Sequence, residues 1–307
     1  MSSSASSRAP SSVANLGCLF DSAGMAVEAF HDEVYVVESS GSLEVDVAVG
    51  NVPKGEQNVA YWAARYLLRK VYGRETGLRI VVKKGVPISA GLGSSGATAA
   101  ATVVAVNELL GIGASAGDLL EAAGAGEAAA AGSPHYDNAA ASLFGGIVLV
   151  DPRNPRTFIT FESPSWLTVI LFLKQSSEYS KTKLMRSVLP RSVDLSELSC
   201  TSFAAAALAM GLTKGVKRYL SFASEGGSVE TTRARYIPGY WEAKTAALRA
   251  GAIAFNISGA GPSLFALAEE DLAETVVESV IKLVPGFKPV VTKISSRGAL
   301  HNVESRR

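Results

Sequence analysis

The sequence predicts an α+β protein of two domains, and three observations carry that reading. Strand-like and helix-like tracts alternate loosely along the chain, a dense turn at residues 151–155 (DPRNP) interrupts them near the middle, and 307 residues, 48% apolar and 19% charged, can bury two cores. The predicted organisation is a serine-rich flexible tail at 1–8, a first domain at 9–155, a second at 156–300 and a tail at 301–307.

In the first domain, residues 33–38 (EVYVVE) and 43–49 (LEVDVAV) alternate apolar and polar side chains as half-buried strands do, 58–72 is amphipathic with a helical period, and 78–84 (LRIVVKK) is strand-like. A glycine-serine loop then runs into an alanine-rich helix. A further helix at 116–131 stops at Gly132, the tight segment GSPHYDN follows, and 146–151 is an apolar strand. The second domain opens with strands at 157–161 and 167–173 and continues with helices at 181–189, 198–210, 216–223 and 240–250. It closes with strand 263–267, helix 272–284 and strand 289–294.

A formal net charge of +1 provides no global attraction to nucleic acid or anionic membrane, so the expected partner is a small molecule held in a pocket. Cys18 and Cys200 are too few for a disulfide framework and form no C-x-x-C pair, which predicts a reducing, cytoplasmic setting. The opening MSSSASSR lacks the apolar core of a signal peptide, and no continuous apolar run reaches the roughly 18 residues of a membrane span.

Residues 86–110 read VPISAGLGSSGATAAATVVAVNELL. Gly91 and Gly93 permit torsions closed to other residues, Ser94 or Ser95 can cap the helix, and the helix dipole and free N–H groups favour an anion. Small residues from Gly96 to Ala101 would let a phosphate chain come close. A P-loop is excluded, because no Lys follows the final glycine. Gly91, Gly93 and Gly96 satisfy G-x-G-x-x-G, but Pro87 and a spacer separate them from the strand, and no strand ending in Asp or Glu follows about twenty residues on, as a dinucleotide fold requires. The remaining alternative is a turn that only starts a helix.

Three segments together resemble the GHMP kinases, the superfamily of galactokinases, homoserine kinases, mevalonate kinases and phosphomevalonate kinases. They are PISAGLGSSGA at 87–97, APSSVANLGCLFDSAGMAV at 9–27 and ISGAGPSLFAL at 257–267. Within the superfamily, GSPHYDNAAASLFGG at 132–146, TKLMRSVLP at 182–190 and RARYIPGYWEA at 233–243 are most similar to homoserine kinases. The chain departs from the family pattern at Leu19, where Gly is usual, and at Gly96, where Ala is usual. The resemblance implies a two-domain GHMP kinase fold, with an N-terminal part like ribosomal protein S5 domain 2 and a C-terminal ferredoxin-like α+β layer. It also implies ATP and Mg²⁺, with L-homoserine phosphorylated on its hydroxyl in threonine biosynthesis, and it is compatible with a homodimer.

Carried over residue by residue, the resemblance assigns Pro87, Ile88, Ser89, Ala90, Gly91, Leu92, Gly93, Ser94, Ser95, Gly96 and Ala97 to ATP, and Ser95 with Glu127 to the metal. Asn15, Asp21, His135, Asp137, Asn138, Thr182, Arg186, Arg233 and Gly259 form the substrate set, and Asn138, Asp137 and Glu127 the catalytic set. The chemistry is consistent: a carboxylate at Asp21 suits an ammonium, and guanidinium forks at Arg186 and Arg233 suit a carboxylate. Each assignment has a plainer alternative. Glu127 could be a solvated helix carboxylate, Asn15 and Asn138 turn stabilisers, the arginines surface ion pairs, and His135 bonded to its own backbone. No Lys occurs in 9–29 to pair with an Asp as base, so the expected mechanism is in-line attack governed by positioning and Mg²⁺, with Asp137 as base left open. Another GHMP kinase acting on shikimate, mevalonate or a sugar, or a non-catalytic sensor on this scaffold, are the competing readings.

Overall fold

The computed structural model describes residues 3–175 and 181–306. The first part runs β1 (Ser4–Ala14), β2 (Ala23–Glu38), β3 (Glu44–Val49), α1 (Val59–Leu67), β4 (Leu78–Lys83), α2 (Ser94–Leu110), α3 (Ala116–Ala131), α4 (Tyr136–Phe144), β5 (Ile147–Asp151) and β6 (Asn154–Phe161). The second runs β7 (Leu167–Leu173), α5 (Lys181–Ser187), α6 (Leu195–Lys214), α7 (Lys217–Leu220), α8 (Gly227–Ala234), α9 (Tyr240–Arg249), β8 (Ala254–Ile257), β9 (Leu264–Glu269), α10 (Ala273–Ile281) and β10 (Lys288–Thr292). The last strand is β11 (Val303–Arg306).

The first sheet is ordered β11-β1-β2-β4-β3, and β2 is long enough to pair with β4 through one end and β5 through the other, with β6 beyond β5. Helix α2 lies against β1 and β2 and is itself covered by α1, α3 and α4. Every residue from Gly96 to Val106 is buried, so a helix surrounded on all sides is built from small and β-branched residues that let its neighbours approach.

The second sheet is ordered β10-β7-β9-β8, antiparallel throughout, which is the ferredoxin-like strand order expected. Its β7, LTVILFL, is apolar on both faces because both are covered. Ile170 and Phe172 pack with Tyr240, Ala243, Val276 and Val280 of α9 and α10, while Val169 and Leu171 join the core of the first sheet together with Leu208 and Leu212 of α6. One face of β7 therefore extends the core of the first half, while its other face builds a second core with α9 and α10. After β10 the chain crosses to the first sheet, where Ile294 bridges Val27 and Ser295 N–H donates to Ala26 C=O at 3.0 Å.

Boundaries differ from expectation at several places, and α8 and β8 have no counterpart among the predicted elements; four differences bear on the domain limits and the site. Residues 4–8 are not a tail: β1 lies between β11 and β2, and Ser7, Ser11 and Ser12 are buried, Ser7 Oγ donating to Ala299 C=O at 3.2 Å and Ser11 Oγ to Val27 C=O at 3.3 Å. The 301–307 tail is β11, paired with Ser4–Ser7. The turn at 151–155 shrinks to a hairpin in which Asp151 already faces Asn154, so the first sheet continues to Phe161 and the second begins at Leu167. GSPHYDN is a turn only as far as His135, because α4 begins at Tyr136. Helix α6, with 20 residues and a mean hydropathy of 1.4, is long and apolar enough to span a membrane by length and composition, although Glu197, Ser199 and Thr201 interrupt its apolar run. Ala204, Ala207, Leu208, Gly211 and Leu212 face the protein, and Leu195, Leu198, Phe203 and Met210 are exposed.

Candidate active site

The loop between β4 and α2 opens onto a cavity of about 250 Å³. Gly93 is the helix cap, in the left-handed region at φ 62° and without a side-chain cap. Neither Ser94 nor Ser95 caps: both lie inside the first turn, and Ser94 Oγ instead donates to Val86 C=O at 3.1 Å. The first helical hydrogen bond is Ala97 N–H to Gly93 C=O at 2.9 Å, and among the described residues no backbone N–H between Pro87 and Ala97 donates to the protein. A run of unpaired donors at a helix start is an anion site. Pro87 to Ser95 line the cavity, but Gly96 and Ala97 do not. A Cβ at Gly96 would come within 3.2 Å of Asn138 and Ala139, so this glycine admits α4 rather than a phosphate chain.

Two segments brace the loop. Ser258 Oγ donates to Gly91 C=O at 2.6 Å, and a Cβ at Gly91 would meet Ser258 C=O at 2.4 Å, so the glycine-rich segment between β8 and β9 is seated directly on the loop. From the other side Asp32, fully buried in β2, accepts from Gly85 N–H and Val86 N–H at 3.0 Å each and from Thr98 Oγ1 at 2.6 Å, and it pairs with Lys84. Lys84 Nζ also donates to Ser94 C=O at 2.7 Å, closing the two ends of the loop on one another. Sequence reasoning named neither residue. Asp32 shares its strand face with buried Val34 and Val36, so the strand alternation itself marked a buried carboxylate.

At one end of the cavity the loop after β1 presents Asn15 and Asp21, and α5 and α8 present Arg186 and Arg233. Asn15 (φ 59°), Asp21 (φ 54°) and Ser89 (φ 56°) are the non-glycine residues with positive φ among those described, and all three line this cavity. Asn15 Oδ1 accepts Asp21 N–H at 2.9 Å, which fixes the bend. Arg186 binds both carboxylate oxygens of Asp21, through Nη1 at 3.2 Å and through Nη2. Arg233, only 4% exposed, donates Nη1 to Gly259 C=O at 2.8 Å while its Nε has no partner, and burial brings its pKa down to about 10. The unusual Leu19 is buried in the core beneath this loop, and its C=O accepts Ser22 N–H at 3.1 Å and Ala23 N–H at 3.2 Å. The side chain of Thr182 lies outside the described residues.

Across the cavity, Glu127 of α3 is 3% exposed and not a solvated helix carboxylate. Its Oε2 lies 3.4 Å from His135 Nδ1, and its Oε1 has no partner. Burial alone would lower the His135 pKa, but the adjoining Glu127 carboxylate outweighs it and the pKa is raised. Asp137 is buried in the first turn of α4, where burial and then the Asp21 carboxylate push its pKa up to about 6. Asn138 Oδ1 accepts from Ser12 Oγ at 3.0 Å, and Asn138 N–H donates to Asp137 at 2.8 Å. Ser95 lines the same wall. A buried carboxylate oxygen lacking a donor, together with a hydroxyl at a helix start, is a hard-oxygen set suited to Mg²⁺. Val52, Pro53, Gln57, Asn58 and Val59 also line the cavity; the sequence does not reveal them because nothing in their types distinguishes a pocket wall from a loop.

Comparison with known proteins shows the family. The family model described as GHMP kinases N terminal domain matches residues 58–146, and that described as GHMP kinases C terminal matches 204–286. The chain belongs to the GHMP kinase family. This GHMP kinase is 39% identical to the homoserine kinase of Pyrobaculum islandicum over 273 residues, covering 89% of this chain and 91% of the relative. It is also 39% identical to the homoserine kinase of Aeropyrum pernix, with 91% of each covered. The crystal structure of homoserine kinase from Cytophaga hutchinsonii superposes with a TM-score of 0.87 at 32% identity, covering 99% of this chain and 97% of that one. Mevalonate diphosphate decarboxylase from Staphylococcus aureus shares the fold with a TM-score of 0.75 at 18% identity, covering 100% of this chain and 99% of that one.

Proposed function

We propose that this kinase transfers the γ-phosphoryl group of ATP to the hydroxyl of L-homoserine, forming O-phospho-L-homoserine in threonine biosynthesis. One observation carries the choice of substrate: a phosphate-binding loop shares its cavity with a carboxylate at Asp21 and guanidiniums at Arg186 and Arg233, the charge pattern that complements an amino acid. The sequence similarity to curated homoserine kinases supports the same reading.

In this mechanism the N–H groups from Ile88 to Gly96 hold the phosphates, and Asp21 takes the substrate ammonium. Arg186 and Arg233 take its carboxylate, and Asn138 orients the hydroxyl for in-line attack. Ser95 and Glu127 would hold Mg²⁺, which when bound neutralises charge on the phosphates. Val52, Pro53 and Asn58 also line the cavity and are assigned to the base and ribose. Asp137 is a second reading for the proton acceptor, favoured by a pKa pushed up to about 6, close to the working range of a general base. We assign the enzyme to the cytoplasm, and the exposed apolar residues of α6 support a homodimer.

The deciding experiment is ADP release measured with homoserine, shikimate, mevalonate and galactose. Homoserine should give the highest kcat/KM, and a better rate with any of the others would overturn the assignment.

A further inference from the structure

Phe20, the residue before Asp21, does not line the cavity, yet both substrate-side guanidiniums lie against its ring. The Arg186 Cζ is 5.8 Å and the Arg233 Cζ 5.4 Å from the ring centroid. These arginines come from different helices, α5 and α8, and as like charges in a confined site they repel. Asp21 binds Arg186 directly through its two-pronged contact, whereas the Asp21 and Asp137 carboxylates act on Arg233 only through space. Arg233 has no carboxylate partner among the described residues, and its only side-chain hydrogen bond goes to Gly259 C=O. An aromatic face attracts cations through its quadrupole, and more strongly where water is excluded.

We infer that Phe20 is a positioning residue for substrate specificity, whose ring holds Arg186 and Arg233 side by side so that together they recognise a carboxylate. The bend at Asp21, with φ 54°, lets one dipeptide do both jobs: the Asp21 carboxylate binds one guanidinium while the adjacent ring faces both. Leu19, buried beneath, anchors the dipeptide from the core. An aliphatic side chain at position 20 could fill the same space but would leave two guanidiniums without the negative face that draws them together. The inference rests on the proposed binding of an amino-acid carboxylate by these arginines.

The test compares homoserine with 3-amino-1-propanol, which keeps the hydroxyl and ammonium but lacks the carboxylate, in the parent enzyme and in Phe20→Leu, Phe20→Met and Phe20→Tyr. In the parent, homoserine should be strongly preferred; equal use of the two alcohols would show that the carboxylate is not recognised and would overturn the substrate reading along with this one. Given that preference, Phe20→Leu should lower kcat/KM for homoserine about 3- to 30-fold, leave 3-amino-1-propanol within about twofold, and leave the KM for ATP within about twofold. Phe20→Tyr, which keeps the aromatic face, should restore discrimination to near the parent value. Phe20→Met serves as the aliphatic variant if Phe20→Leu does not fold. Unchanged discrimination in the aliphatic variant, or equal losses with both alcohols and with ATP, would mean that the ring is structural filling only.

Discussion

Asp21 and Arg186, 165 positions apart in sequence, meet in a two-pronged ion pair on the cavity wall. The side chains are 23% and 37% exposed, so the pair itself adds little to stability, on the order of 0–1 kcal/mol. Its proposed role lies in binding, because an amino acid offers each partner a replacement of opposite charge. Arg186→Met, and even Arg186→Lys, should therefore raise the KM for homoserine by about 10- to 150-fold, the loss of one charged hydrogen bond. The melting temperature and the KM for ATP should barely move. Steady-state kinetics with each substrate varied in turn separates this outcome from a surface ion pair, for which neither constant changes.

Glu127 holds a carboxylate oxygen inside the protein with no donor, an arrangement that costs stability unless something else occupies it. Glu127→Gln should accordingly melt at or above the parent temperature while kcat falls by about two orders of magnitude. Raising Mg²⁺ should recover part of the rate. An unchanged rate with unchanged Mg²⁺ dependence would remove Glu127 from the metal site.

Asp137 titrates near pH 6 in the folded protein against 3.8 for a free side chain, so the native state binds this proton more tightly than the unfolded chain does. That contribution to stability is fully present below about pH 3.8 and is lost as the pH rises through about 6. Asp137→Asn keeps an acceptor for Asn138 N–H but cannot ionise. Relative to the parent it should gain up to roughly 3 kcal/mol between pH 4 and pH 8, read as a widening difference in denaturation midpoints. The same variant tests the base: a loss of kcat within about tenfold at pH 8 assigns the proton to phosphate, and a much larger loss assigns it to Asp137.

Gly91 has φ 78° and abuts the Ser258 carbonyl, so an added methyl has both the wrong backbone and no room. Gly91→Ala should raise the KM for ATP by at least about tenfold and lower the melting temperature, because it separates the loop from the glycine-rich segment that braces it. Gly55→Ala is the control: Gly55 also has positive φ, at 60°, but a Cβ there meets nothing within 4 Å, and it should cost only backbone strain.

The strand and helix periods in the chain placed β7 and α3 at their observed limits and put α2 behind the phosphate loop, because these elements bury their apolar positions in the ordinary way. Strand β1 lacks the β-branched and aromatic signature of strands, and its buried serines Ser7, Ser11 and Ser12 are satisfied by hydrogen bonds instead. The start of α4 was hidden by the turn chemistry of Gly132, Ser133 and Pro134. At the site, the motif residues Asp21, Glu127, Asp137, Asn138, Arg186 and Arg233 converge on one cavity, whereas the Asp32–Lys84 clamp lies outside every motif, and the alternation of β2 marks Asp32 as buried without naming its partner.

The pairing of β11 with β1 bears on how the polypeptide acquires its shape during synthesis. The strand beginning at Ser4 is synthesised before the other elements of this fold, yet its outer neighbour is Val303–Arg306, and the Ala299 that accepts the Ser7 hydroxyl is buried in the core. The first half therefore waits with an unpaired, serine-rich edge until Val303–Arg306 has been made. Vectorial folding of this kinase should stall at that open edge, so chains truncated before Ala299 should remain sensitive to protease near β1 even though the residues from Pro87 to Ser95 are already made.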